Sequence, residues 1–251
     1  MEKFRQFGII GYPLAHSFSQ RYFTNKFEQE DINARYDKFE IKSVDELADI
    51  LKTNPDLTGL NVTIPHKQAV IPLLTDISDE AKTIGAINVI KVGRDENGNL
   101  SLKGYNSDVY GFMNSIRPLL NPAIHTKALV LGTGGGSKAV VYGLNQLGVE
   151  TQLVSRTKNS DTISYEELDK DIMEQHTVVV NCTPLGTFPN VDEAADIPYH
   201  YLTHNHLLYD LVYNPEVTEF AKRGAKYGAQ TENGAAMLEL QAIKAWEMWN
   251  Q

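Results

Sequence analysis

The segment Ala128-Leu129-Val130-Leu131-Gly132-Thr133-Gly134-Gly135-Gly136-Ser137-Lys138-Ala139 constrains the fold of this chain more than any other. An apolar run of strand length meets a cluster of glycines and continues into a helical pattern carried by Ala139, Val140, Leu144 and Leu147. Strand, glycine turn and helix in that order are the context in which a dinucleotide-binding fingerprint operates. Gly132 allows the tight turn. Gly134 and Gly135 let backbone N–H groups approach a pyrophosphate at the helix N-terminus. Ser137 stands at the third glycine of the fingerprint, with Ala139 close behind to keep the helix near the sheet. The plain alternative is a glycine-rich turn that binds nothing.

The rest of the chain alternates in the same way. Apolar runs predict strands at 4–12, 34–40, 57–64, 87–92, 100–105, 127–131, 151–155, 177–181 and 207–212. Helical spacing covers 19–30, 45–52, 78–84, 107–119, 135–147, 166–174, 217–226 and 234–249. Asp95-Glu96-Asn97-Gly98-Asn99 is a turn signal that makes a hairpin of its flanking strands. Such alternation implies an α/β fold with mostly parallel sheet.

Composition sets the outer limits. A chain of 251 residues suggests one or two domains and can bury a core without disulfides or metal staples. One cysteine, Cys182, rules out an internal disulfide framework and a cysteine-based zinc cluster, and no metal is expected. No apolar run has the length of a membrane span, and the first residues carry no signal-peptide core, so a cytoplasmic protein without a membrane partner is expected. Lys and Arg number 23 against 32 Asp and Glu, a net charge of −9 with no basic run, which disfavours a nucleic-acid partner. A small anion would have to be held by local basic groups.

Several polar residues stand where such groups are needed. Leu153-Val154-Ser155-Arg156-Thr157 ends the strand after the glycine loop, where an NAD-binding fold carries an acidic residue for the ribose. Arg156, flanked by Ser155 and Thr157 and followed by Lys158, suits the 2′-phosphate of NADP instead; a surface arginine at a strand end is the alternative. In 59–67, Leu60, Val62 and Ile64 are expected on one strand face and Asn61 and Thr63 on the other, with Lys67 just past Pro65. That brings two neutral hydrogen-bonding groups and an amine to one strand end, unless the face is simply solvated. Ser17 and Ser19 follow the first strand; one is expected to cap the next helix, and a carboxylate bound there would explain both. Asp108 stands in a first helical turn, where capping is its usual role, and Asn88 by itself is a polar residue in a strand. Gln241 lies on or beside the apolar stripe Leu238, Ala242, Ala245, Trp246 and Trp249, and a buried amide there would need a loop or a ligand hydroxyl as partner. His200, His204 and His206 cluster without an evident carboxylate or cysteine ligand and read as a polar loop.

Taken together these blocks resemble the shikimate dehydrogenase family over nearly the whole chain. The matching elements are His16-Ser17-Phe18-Ser19, Asn61 to Lys67, Gly85 to Asn88, Asn106 to Gly111, the glycine loop, Arg156-Thr157, Asn181 to Gly186, Asp210 to Thr218, and Gly234 to Gln241. The departures are Gln20, Val89, Ser107 and Ser155, none of them at the acid–base pair. The resemblance implies an N-terminal α/β substrate domain, residues 1–106 with 233–251, and a Rossmann-type NADP-binding domain, residues 107–232, with the active site in the cleft between them. It implies reversible reduction of 3-dehydroshikimate to shikimate with NADPH, in a monomer or homodimer. It further implies that Ser17, Ser19 and Tyr213 hold the substrate carboxylate, and that Asn61, Thr63, Asn88, Asp108 and Gln241 hold ring hydroxyls. Lys67 and Asp108 form the acid–base pair. Gly132, Gly134, Gly135, Ser155, Arg156, Thr157, Thr183 and Gly234 belong to the cofactor site. The alternatives are a quinate/shikimate dehydrogenase relative using NAD, and a nucleotide-binding regulator without turnover, which would be expected to lack Lys67 or Asp108.

Overall fold

The structure is a computed structural model that describes residues 3–14 and 17–251. The chain forms two compact units, Met1–Ser107 with Gln241–Gln251, and Asp108–Leu240.

In the first unit, β1 (Arg5–Gly11), α1 (Phe18–Gln29), β2 (Ala34–Glu40), α2 (Leu47–Thr53) and β3 (Leu57–Val62) follow one another. Then come β4 (Asp76–Ile77), α3 (Asp79–Ile84), β5 (Val89–Arg94) and β6 (Leu100–Tyr105). The sheet order is β2-β1-β3-β5-β6-β4. β1 pairs in parallel with β2 and β3, while β3–β5 and β5–β6 are antiparallel. The hairpin turn forms as its residues dictate: the Asn97 and Asn99 amides donate to the Asp95 carboxylate, and Gly98 takes φ +81°. One sheet face packs Ile10, Leu60, Val62, Ile87 and Ile90 with Leu47 and Leu51 of α2. The other packs Phe7, Phe23, Phe27 and Tyr36 with Ala242, Ala245 and Trp249.

In the second unit, α4 (Asp108–Ile116), β7 (Lys127–Leu131), α5 (Gly135–Gln146), β8 (Glu150–Ser155), β9 (Thr162–Ser164) and α6 (Lys170–Gln175) come first. They are followed by β10 (Val178–Asn181), β11 (Leu207–Asp210), α7 (Glu219–Lys226), β12 (Gln230–Glu232) and α8 (Ala235–Trp249), which continues into the first unit. The order β12-β11-β10-β7-β8-β9 is parallel throughout. That is the doubly wound order, with its switch point between β7 and β10. Met237 of α8 is buried in this unit's core, and its later residues Ala242, Ala245, Met248 and Trp249 in the first unit's.

Three local expectations change. The helix expected at 166–174 begins only at Lys170, after a 3-10 turn at Tyr165–Glu167 and with Asp169 as its cap. The strand at 57–64 stops at Val62, so Ile64 does not share the buried face of Leu60 and Val62 and is 67% exposed. The short strands β4, β9 and β12, of two or three residues, were not legible as periodic patterns.

Candidate active site

Strand directions bring the first unit's polar residues to one sheet edge. β1 and β3 run in parallel and end together, with Ile10 opposite Val62. β5 runs against β3 and β6 against β5, so β5 begins and β6 ends at that same edge, with Asn61 opposite Val89 and Val89 opposite Tyr105. The side chains there form one connected line. The Tyr36 hydroxyl donates to Asn61 Oδ1 (2.6 Å), and Asn61 Nδ2 donates to the Asn88 carbonyl (3.3 Å). Asn88 Nδ2 donates to Ser107 Oγ (2.9 Å), the Ser107 amide returns a bond to Asn88 Oδ1 (2.6 Å), and Ser107 Oγ donates to Gln241 Oε1 (3.4 Å). Asn61, Asn88, Ser107 and Gln241 are all buried, so each amide needs such partners. Ser107, one of the departures from the family pattern, uses its hydroxyl in full.

Thr63 follows β3 half-buried, its amide on the Ile10 carbonyl (3.0 Å). Lys67 is half-buried in the following turn, and its carbonyl accepts from the Ile87 amide (2.7 Å). The two serines divide their roles. Ser17 caps α1, its oxygen accepting from the Gln20 amide (3.3 Å), which leaves its own proton to donate. Ser19 is buried and hydrogen-bonded to Tyr36. His16, the first residue of that element, lies outside the described residues. Tyr36 was not singled out in the sequence. Burial pushes its phenol well above the ordinary range, against the opposing effect of the Ser19 bond. It is the one fully buried residue of β2, and a tyrosine at a core position needs a partner for its hydroxyl; that is the signal that could have found it.

In the second unit, Asp108 is the buried first residue of α4. β7 and β8 are paired with Leu131 opposite Val154, so the loops after them leave the sheet side by side, and the Gly132 amide donates to the Val154 carbonyl (2.9 Å). Gly132 takes φ +101°, a conformation that favours glycine. Gly134 is different: it caps α5 in an ordinary extended conformation, and a Cβ there would meet nothing within 4 Å. The protein's own packing does not require glycine at 134, and the open space lies at the helix N-terminus. Gly135 opens the helix, and Ser137 turns its hydroxyl inward to the Gly134 carbonyl (2.7 Å). Arg156 and Thr157 are exposed beside this loop, with Ser155 Oγ accepting from the Thr157 amide (3.4 Å). Lys158 is ion-paired with Glu167. These residues fit a 2′-phosphorylated dinucleotide: a glycine cradle, a helix N-terminus, and a cation with hydroxyls one strand away.

Thr183 follows β10, its amide and hydroxyl both donating to Asn181 Oδ1 (3.1 and 2.6 Å). Tyr213 is half-buried after β11. Gly234 is required by close approach, because a Cβ there would collide with the Leu211 carbonyl. Of the three clustered histidines, His206 is buried with Nε2 on the Met173 carbonyl (3.0 Å) and His200 packs on Tyr201. Among the described residues no group of three or more His, Cys, Asp or Glu is placed to hold a metal ion, and no helix is long and apolar enough to cross a membrane.

The sequence pattern of the shikimate dehydrogenase substrate binding domain matches residues 9–90. The shikimate dehydrogenase (NADP(+)) of Desulforamulus reducens is 35% identical, over 96% of this chain and 88% of the relative. The crystal structure of shikimate dehydrogenase from Aquifex aeolicus is 30% identical and superposes with a TM-score of 0.84, covering 98% of this chain and 92% of that one. Quinate dehydrogenase from Corynebacterium glutamicum, in complex with NAD, is 26% identical with a TM-score of 0.83, covering 98% and 93%.

Proposed function

The chain belongs to the shikimate dehydrogenase family, and from that membership we propose that it catalyses the reversible, NADPH-dependent reduction of 3-dehydroshikimate to shikimate. The observation that carries the substrate side is the buried line of amides and hydroxyls from Tyr36 through Asn61, Asn88 and Ser107 to Gln241, which suits a polyhydroxylated ring. The Arg156 cation beside the glycine cradle carries the choice of NADP over NAD.

Bound NADPH supplies the hydride that reduces the substrate carbonyl. The protein manages the rest. Ser17 donates its remaining proton to the substrate carboxylate, joined by Ser19 and Tyr213. Asn61, Thr63, Asn88, Asp108 and Gln241 fix the ring hydroxyls. Lys67 and Asp108 are the acid–base pair: the ammonium protonates the oxygen as negative charge develops on it. Gly132, Gly134, Gly135, Thr183 and Gly234 receive the cofactor backbone, and Ser155, Arg156 and Thr157 the 2′-phosphate. The enzyme works in the cytoplasm as a monomer or homodimer, on domains of residues 1–106 with 233–251 and 107–232.

Steady-state kinetics with shikimate and quinate, each paired with NADP and NAD, test this. Shikimate with NADP should have the highest kcat/KM. Faster turnover of quinate, or of NAD, would favour the quinate dehydrogenase reading, and cofactor binding without turnover a regulator.

A further inference from the structure

Asp210 ends β11 with a fully buried carboxylate. Three donors converge on it: Asn181 Nδ2 (2.9 Å) and the Val212 amide (3.0 Å) reach Oδ1, and the Thr218 hydroxyl (2.7 Å) reaches Oδ2. Burial raises its pKa, and the three bonds oppose that rise. A carboxylate in the core is unfavourable unless its oxygens are satisfied, so its presence calls for a task that an apolar residue would not perform.

The partners show the task. Asn181, also fully buried, has one amide with two ends. Its Oδ1 accepts from both the amide and the hydroxyl of Thr183. Its Nδ2 must then face an acceptor, and an ionised carboxylate is acceptor-only. Asp210 therefore dictates which way the Asn181 amide points. With the amide reversed, both Thr183 donors would face an NH2 group. Thr183 in turn rests its γ-methyl against the glycine-rich loop, where a Cβ on Gly132 would lie 3.1 Å from it. On the other side, Val212, whose amide Asp210 holds, accepts at its carbonyl from the Gly234 amide (3.3 Å). Thr218 also accepts from the Ala221 amide (3.2 Å) and so caps α7. One buried group thus ties the turn after β10 to the turn after β11, and both border the glycine loop.

Resting on the NADP reading above, we infer that Asp210 is a positioning residue for the cofactor: through Asn181 it holds the Thr183 turn against the glycine-rich loop in the shape that NADP binds. It touches neither cofactor nor substrate in this role.

The test is NADPH titration by fluorescence, with shikimate oxidation kinetics, on the full chain as wild type, Asp210→Asn, Thr183→Val and the double variant. Asp210→Asn keeps the shape but removes the acceptor-only character that orients Asn181. It should weaken NADPH at least about fivefold while KM for shikimate changes less than about twofold. In the Thr183→Val background the same substitution should cost clearly less than it does alone, because the hydroxyl bond of the link is gone and only the Thr183 amide still reaches Asn181. Unchanged NADPH affinity in folded Asp210→Asn, or fully additive losses in the double variant, would overturn the inference. Should Asp210→Asn not fold, Asn181→Ala interrupts the same link: a comparable loss of NADPH affinity supports the inference, and wild-type affinity overturns it. A wild-type chain that neither binds NADPH nor oxidises shikimate would instead overturn the functional reading, so the two failures are distinguishable.

Discussion

Lys67 is held by its neighbours before its own side chain is considered. Its carbonyl takes the Ile87 amide, and the adjacent His66 is buried with Nε2 on the Ile41 carbonyl (2.8 Å). An amine on so fixed a backbone suits a proton donor, because little reorganisation is left for the reaction step. Lys67→Ala should lower kcat by about a hundredfold or more, with NADP affinity changed little, since the residue belongs to the other compact unit. Asp108→Asn should lower kcat and also raise KM for shikimate, because it has a second proposed role on a ring hydroxyl. Steady-state kinetics decides both, and near-normal kcat in Lys67→Ala would remove it from the acid–base pair. Arg156 poses a separate question. With Lys158 occupied by Glu167, it is the cation left to read a 2′-phosphate from that segment. Arg156→Ala should weaken NADP by roughly 1.5–3 kcal/mol, about ten- to a hundredfold, and barely affect NAD. Comparison of kcat/KM for the two cofactors checks this; equal losses would show that Arg156 does not recognise the phosphate.

At the scale of elements, the strand–turn–helix of β7 and α5 separates folding from binding. Gly132 serves the fold: its φ of +101° and the nearby Thr183 methyl disfavour any side chain. Gly132→Ala should destabilise the protein by about 1–3 kcal/mol. Gly134 is proposed to serve the ligand, and the fold does not need it: its conformation is ordinary and the space beside it is open. Gly134→Ala should lower stability by no more than about 1 kcal/mol, the difference between glycine and alanine as a helix cap, yet weaken NADP about tenfold or more. Thermal melts paired with NADPH titrations read both quantities. A stable Gly134→Ala variant with wild-type affinity would show that no phosphate approaches there. The helix α1 makes a similar division, with Ser17 at the cap and Ser19 buried on Tyr36.

For the whole molecule, pH acts through buried groups in loops as well as through the site. His125 is buried ahead of β7, Nδ1 accepting from the Asn121 amide (2.9 Å) and Nε2 donating to the Asn205 carbonyl (3.1 Å). Burial depresses its pKa in the folded state, with the Asn205 bond opposing. The unfolded chain therefore takes up the proton first, near about pH 6.5. The contribution is complete above that value and is lost as pH falls through the lower folded one. Melting temperature should drop less between pH 7.5 and 5.5 in His125→Gln than in the wild type; these are about one unit either side of the ordinary imidazole value. Parallel curves would show that His125 does not carry the effect. The difference between the two proteins isolates this group from Asp210, whose raised pKa acts in the opposite sense. Much of the architecture was legible in the chain alone, because it is written in local chemistry. Strand β2 at Ala34–Glu40 and strand β7 at Lys127–Leu131 follow from side-chain period, the hairpin from Asp95 and Gly98, and the cofactor loop from its glycines. Pairing was not legible. Asn61, Asn88, Ser107 and Gln241 are far apart in sequence and meet only because β3, β5 and β6 alternate in direction and α8 returns to their sheet. Neither Tyr36 nor Asp210 differs locally from an ordinary strand residue. Their roles arise from burial, which obliges each polar atom to find a partner, and the fold decides which partner is there.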